Sequence, residues 1–254
     1  MKFGPVSLPE AEGAILAHSQ RTDAGTIKKG TVLTAEHVDA LRAAGLAEVI
    51  AARLDPTDMH EDAAAARLAE AVAGANVRVD RSFTGRANLF AEKAGVLSVD
   101  RQAIDTFNRI DEGITVATLD AYAPVVEGTM IATVKIIPFA VSGAAVEEAI
   151  AAVPDTGLFA VKPYRPAKVG VVSTVLAGTS EKMLRKNARV LADRLARTGA
   201  SVLEEVRVPY ETEAVAPALS DLKARVADLL FVTAASAILP RGDLFPACLV
   251  PAGR

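Results

Sequence analysis

The chain has 254 residues, 51% of them apolar, with a formal net charge of −3 and one cysteine, Cys248. That length and apolar content predict two or three compact globular domains rather than a disordered chain. Aromatic residues at 4% without tryptophan, interspersed acids and bases, and the lone cysteine argue against nucleic-acid stacking, a polyanion footprint, a disulfide framework and a cysteine-built metal site.

The N-terminus, Met1-Lys2-Phe3-Gly4-Pro5, opens no apolar signal core, and no run of about 18 apolar residues follows. The expectation is a soluble cytoplasmic protein with no nucleic-acid or membrane partner. Residues 1–55 predict a small α+β region. Pro9 to Gln20 has helix-like spacing, and GTIKKGTV (25–32) reads as a turn between short strands. Thr34 is a favourable N-cap for a helix over 35–44, with Val38 and Leu41 on one face and Gly45 as its stop. LAEVIAARL (46–54) follows as a strand.

Residues 56–160 predict a middle α+β domain. An alanine-rich helix over 62–73 follows Asp58, Glu61 and Asp62, acids that suit the positive end of a helix dipole. Strands are predicted at 77–79, 95–99 and 114–119, with a helix over 101–110. FTGRANLF (83–90) is the most polar and least periodic stretch nearby, and VEGTM (126–130) reads as a turn. MIATVKIIPFA (130–140) is a β-branched strand, within which Lys135 reads as an edge lysine that discourages aggregation. A further helix is expected over 143–153.

Prolines and glycines crowd into 154–166 and mark a domain boundary. Beyond it the grammar changes. KVGVVSTV (168–175) reads as a buried strand, 176–180 as a small-residue loop, and 181–198 as a long helix stopped by Gly199. A strand over 201–208, a helix over 212–225 and a buried strand over 227–233 complete a parallel α/β pattern for 165–254. Ligands of such sheets bind at the C-terminal ends of the strands, beside helix N-termini, which singles out the loops 176–182 and 234–243.

In the first loop, Gly178, Thr179 and Ser180 at a strand-to-helix junction would expose backbone N–H groups to an anion, with Lys182 and Lys186 adding charge. The same residues also read as a helix cap with two solvated lysines. In the second loop, small residues after the strand would admit a ligand to the backbone, and Asp243 could accept from a ring N–H or hold a cation. It reads equally as an alanine-lined turn ending at a solvated acid. His60 beside Asp58, Glu61 and Asp62 reads as a solvated histidine or a metal ligand. Arg86 in FTGRANLF reads as part of a turn or as a phosphate contact. Cys248 carries no sign of an activated thiolate.

Together the two loops resemble the molybdopterin-binding domain shared by the molybdopterin adenylyltransferases and molybdotransferases. Thr174, Gly178 and Asn187 resemble that domain's first loop, and Thr233, Ser236, Arg241 and Asp243 resemble its second. EAEGAILAH, KKGTVL and LRAAGLAEV are similar to the N-terminal part of the molybdotransferases. The sequence departs from the pattern at Ala234-Ala235, where the family has glycines, and at Arg185, where it has an acid. The resemblance implies a domain that continues beyond Arg254, so the expected sheet is truncated at its C-terminal side.

The resemblance implies binding of molybdopterin or a related anionic pterin and a role in molybdenum-cofactor biosynthesis, possible molybdotransferase-like activity included. Thr174, Gly178, Ser180, Lys182, Lys186, Thr233, Ser236 and Arg241 would bind the cofactor, and Asp243 would be the catalytic residue and the ligand for Mg²⁺. Partners would be other molybdenum-cofactor proteins and a second copy of the chain in a homodimer. Two alternatives stand beside this reading: a non-catalytic module that stores, senses or delivers the cofactor, and a pyridine-nucleotide hydrolase of the competence-protein type.

Overall fold

The structure, a computed structural model, describes residues 1–225 and 227–234. It is a mixed α/β protein whose contacts divide the chain after Pro163 into two units. Each unit has its own apolar cores.

The first unit begins with β1 (Lys2–Ser7), a 3-10 turn (Leu8–Glu10), β2 (Ile15–Leu16), β3 (Gln20–Thr22) and β4 (Gly25–Ile27). The helix expected from Pro9 does not form. Gly13 turns the chain with φ +78°, and Ala14, Ile15, Leu16 and Ala17 are all buried. Four consecutive buried residues leave no polar face for a surface helix. α1 (Ala35–Ala43) follows, and Thr34 caps it as the sequence predicts, reciprocally with His37. β5 (Glu48–Arg53) then lies between β1 and β2 in an antiparallel sheet. Leu8, Leu33, Val38, Leu41 and Val49 fill the core beneath it.

The unit continues through β6 (Asp58–His60), α2 (Glu61–Val72), β7 (Val77–Val79), β8 (Arg86–Ala91), β9 (Gly95–Val99) and α3 (Arg101–Phe107). After these come β10 (Ile114–Thr118), β11 (Pro124–Val125), β12 (Met130–Ile136), β13 (Ala140–Ser142), α4 (Gly143–Ala151) and β14 (Phe159–Pro163). The main sheet has the antiparallel order β10-β12-β8-β7. α2 packs on it through Ala64, Ala65, Leu68, Ala69 and Val72, all buried. Alanine at three of those positions lets the helix axis approach the sheet closely, and truncating Leu68 to Ala would cost about 2–5 kcal/mol.

Two expectations change here. Lys135 is not on an edge: β12 lies between β10 and β8, and Lys135 is in register with Thr115 and Arg86. FTGRANLF is mostly strand, because Ala87, Leu89 and Ala91 alternate inward with a period of 2. The alanines hide that period from a hydropathy reading. The long β-branched strand also ends at Ile136, two residues before Pro138.

The second unit contains β15 (Lys168–Val175), α5 (Glu181–Ala196), β16 (Ser201–Pro209), α6 (Thr212–Ala224) and β17 (Leu229–Thr233). β15 is central and pairs in parallel with β16 and with β17. Val169 and Val171 join Leu191 and Leu195 of α5 in one core, while Val172 joins Val215, Leu219 and Leu222 of α6 in another. Covered on both faces, β15 is apolar on both from Val169 to Val172 rather than alternating, and then carries two buried hydroxyls, Ser173 and Thr174. A Cβ at Gly170 would meet Leu230 of β17 at 2.9 Å and Leu222 of α6 at 3.2 Å, so a larger residue there would crowd both neighbours.

Candidate functional site

β15 and β17, the strands that precede the two loops singled out by the sequence, are parallel and end on the same side of the sheet; of the second loop only Ala234 is among the described residues. After β15, the Thr179 N–H closes a turn onto the Leu176 carbonyl at 3.1 Å, with Gly178 third in the turn at φ +85°. That is the position and sign a type II turn demands of its glycine. The Thr179 hydroxyl donates to the Leu176 carbonyl (2.7 Å) and accepts from the Leu176 N–H (3.2 Å). It therefore folds the loop and takes up a backbone donor that an anion would otherwise use. Ser180 is the N-cap of α5, exposed and without a side-chain capping bond. Its carbonyl accepts from Met183 and Leu184, which starts the helix.

The structure brings Thr174 and Thr233 together: the Thr174 hydroxyl, buried in the sheet, donates to the Thr233 carbonyl at 3.2 Å. Gly178 and Ser180 share the loop above them. Lys182 and Lys186 are exposed on the first two turns of α5, and Asn187 borders a cavity beneath that helix. Ser236, Arg241, Asp243 and Cys248 lie outside the described residues.

One polar chain was not apparent in the sequence. Thr233 Oγ1 donates to Ser173 Oγ (3.0 Å), and Ser173 Oγ donates to Glu205 Oε1 (2.6 Å). Arg207 then joins Glu205 (3.1 Å) to Glu181, the first residue of α5. Glu181 also faces Arg185 at 3.8 Å. The hydrogen bond from Arg207 holds the Glu181 carboxyl below its ordinary value. All three strands and the start of α5 are thus tied by one relay. Its only trace in the sequence is Glu204-Glu205-Val206-Arg207, charges placed within a strand between two helices.

Two hollows lie along this relay. The cavity under α5, bordered by Ser173, Asn187, Glu205 and Thr233, is about 40 Å³, room for a water and not for a pterin. At the ends of β15 and β16 is an open depression of about 550 Å³, floored by Leu176, Ala177, Arg207 and Tyr210, within the size range of small-molecule sites. Its charged lining is Arg207, which is already bonded to Glu181 and Glu205, and Glu211. Among the described residues no group of three or more His, Cys, Asp or Glu is arranged to hold a metal ion. His60 instead caps α2, accepting from the Asp62 N–H at 3.3 Å. Among the described residues, no helix is long and apolar enough to cross a membrane.

Comparison with known families gives one match, described as Domain of unknown function (DUF8806), over residues 5–53. It runs from within β1 to the end of β5, and its description assigns no function. No curated protein matches the chain.

Proposed function

We propose that this chain binds molybdopterin or a related anionic pterin and takes part in molybdenum-cofactor biosynthesis. Its second unit acts in this reading as a parallel α/β domain of the molybdopterin-binding kind. One observation carries the proposal: the turn at Gly178 and the end of β17 at Thr233, the two places where the sequence resembles that domain, belong to adjacent strands joined through Thr174. The open depression at the ends of β15 and β16, next to the turn at Gly178, has the right size, and Ser180, Lys182 and Lys186 would take the phosphate. Molybdopterin would supply the dithiolene that carries the metal; the chain's own residues would bind and orient it.

A second reading, a non-catalytic module that holds or delivers the cofactor, is favoured by Arg185. Where the family has an acid, this arginine faces Glu181 at 3.8 Å and adds positive charge rather than a metal ligand. The test is mass spectrometry of ligand released from the purified protein, followed by an adenylylation assay with molybdopterin and ATP. A bound pterin without turnover, and with trace turnover raised by Arg185→Asp, supports the binding module. Robust turnover by the unmodified chain sinks it, and release of a pyridine nucleotide in place of a pterin sinks the whole reading.

A further inference from the structure

The first unit has a cleft of about 660 Å³ that the pterin reading does not use. Its lining combines two kinds of chemistry. Phe3 of β1 and Ile137, just after β12, leave 60% and 63% of their surface to water. Pro138 and Phe139 add to that apolar lining. Lys29, Lys135 and Glu61 supply its charged side chains.

The charged side is built rather than incidental. Glu61 opens α2 with its side chain only 14% exposed, and Lys135 Nζ lies 3.9 Å from it, beyond hydrogen-bond range. Lys135 donates instead to the Thr84 carbonyl at 2.6 Å. Thr84 and Gly85 form the two-residue turn between Phe83 and Arg86, with φ values of +49° and +68°. Both angles match a type I′ hairpin, in which a β-branched residue is strained. Three bonds hold the turn there: Lys135 to Thr84, the Gly85 N–H to Asp62 (2.7 Å), and the Ile136 N–H to the Gly85 carbonyl (2.7 Å). A Cβ on Gly85 would lie 2.5 Å from the Glu61 carboxylate, so the glycine lets that carboxylate sit against the turn. Burial pushes the Glu61 carboxyl above its ordinary value, and Lys135 and Lys29 oppose the shift without cancelling it.

The Met1 ammonium in the lining is paired with Asp55 and Asp58, so Lys29 and Lys135 against the shielded Glu61 carboxyl set the charge of the lining, beside apolar side chains in a space of ligand size. We infer that this cleft is a second binding site, for a small amphipathic anion with a flat apolar body and one phosphate or carboxylate group. Lys29 and Lys135 take the anionic group, Glu61 accepts from a ligand N–H or O–H, and Phe3 and Ile137 cover the apolar body. The site lies wholly within the first unit and is independent of pterin binding in the second.

Phenyl phosphate is a suitable probe, followed by amide NMR on the full chain. Saturable shifts at Gly30, Gly85 and Ile137 are expected. Lys29→Gln, an exposed substitution that leaves the turn intact, should weaken binding about fivefold or more. Lys135→Gln should weaken it at least as much, and inorganic phosphate alone should bind more weakly than phenyl phosphate. Shifts confined to other residues, unchanged affinity in Lys29→Gln, or equal affinity for the two phosphates would each overturn the inference.

Discussion

Arg207 on β16 donates to both oxygens of Glu181, at 2.8 and 2.9 Å, and so spans from a strand back to the first residue of the preceding helix, α5. The pair places an acid where the positive end of α5 would otherwise meet an anion. Any anionic ligand at this end of the sheet must compete with Glu181 for Arg207. Glu181→Gln is therefore expected to raise affinity for molybdopterin severalfold by freeing the guanidinium and removing like charge. Fluorescence titration of wild type against variant measures it. An unchanged or weaker affinity would put the ligand away from the start of α5.

Lys182→Glu tests the same end of the helix from the opposite sign. A carboxylate in the first turn would repel the ligand's phosphate, and molybdopterin affinity should fall by about tenfold or more. Because Lys182 is exposed, its thermal unfolding should be close to that of wild type. Equal binding by the two proteins removes Lys182 from the phosphate site.

The Thr84–Gly85 turn makes a prediction about stability. Gly85→Ala adds a methyl 2.5 Å from the Glu61 carboxylate and 2.8 Å from the Ile136 carbonyl, at φ +68°. Destabilisation of about 2–4 kcal/mol is expected in chemical denaturation. Thr84→Asn would create Asn-Gly, the pair a type I′ turn prefers, and should stabilise by about 0.5–1 kcal/mol. If Thr84→Asn instead lowers the denaturation midpoint, the threonine is not strained there.

Glu61 predicts a pH dependence with a definite sign. Burial raises its carboxyl, Asp62 reinforces the shift, and Lys135, His60 and Lys29 oppose it. The folded state therefore binds this proton more tightly than the unfolded chain. The associated stability is fully present below the unfolded value and is lost as pH rises through the ordinary glutamate range to the raised folded value. Glu61→Gln removes this contribution, so the stability difference, variant minus wild type, should grow with pH across that window and level off above it. Thermal melts at closely spaced pH values give the difference directly; a flat or falling difference contradicts the assignment.

Assembly is the last prediction. Leu203 on β16 and Leu229 on β17 are 45% and 46% exposed on the two outer strands of the described sheet, and Met183 on α5 is 50% exposed. Unpaired strand edges with apolar side chains favour association. A homodimer is expected by light scattering across a concentration series. A monomer throughout that series would show these residues to be tolerated in water.

Local chemistry was legible from the residues alone. Thr34 and Gly45 bound α1 because a side-chain oxygen and a positive φ are requirements of one or two residues, independent of what lies across the fold. The alternation of strands and helices after residue 165 was equally plain, since a strand covered on both faces carries consecutive apolar residues, as Val169 to Val172 do. Where Ala11 to Ala17 or Ala87 to Ala91 were concerned, alanine suits helix and strand alike, and only burial on two sides or one decided between them. The position of Lys135 depended on the strands on either side of β12, whose residues Arg86 and Thr115 are well separated from it in sequence and which no local pattern announces. The same holds for the relay from Thr233 through Ser173, Glu205 and Arg207 to Glu181. Each member is an ordinary polar residue in its own segment, and only the packing of three parallel strands and one helix brings them within hydrogen-bond distance.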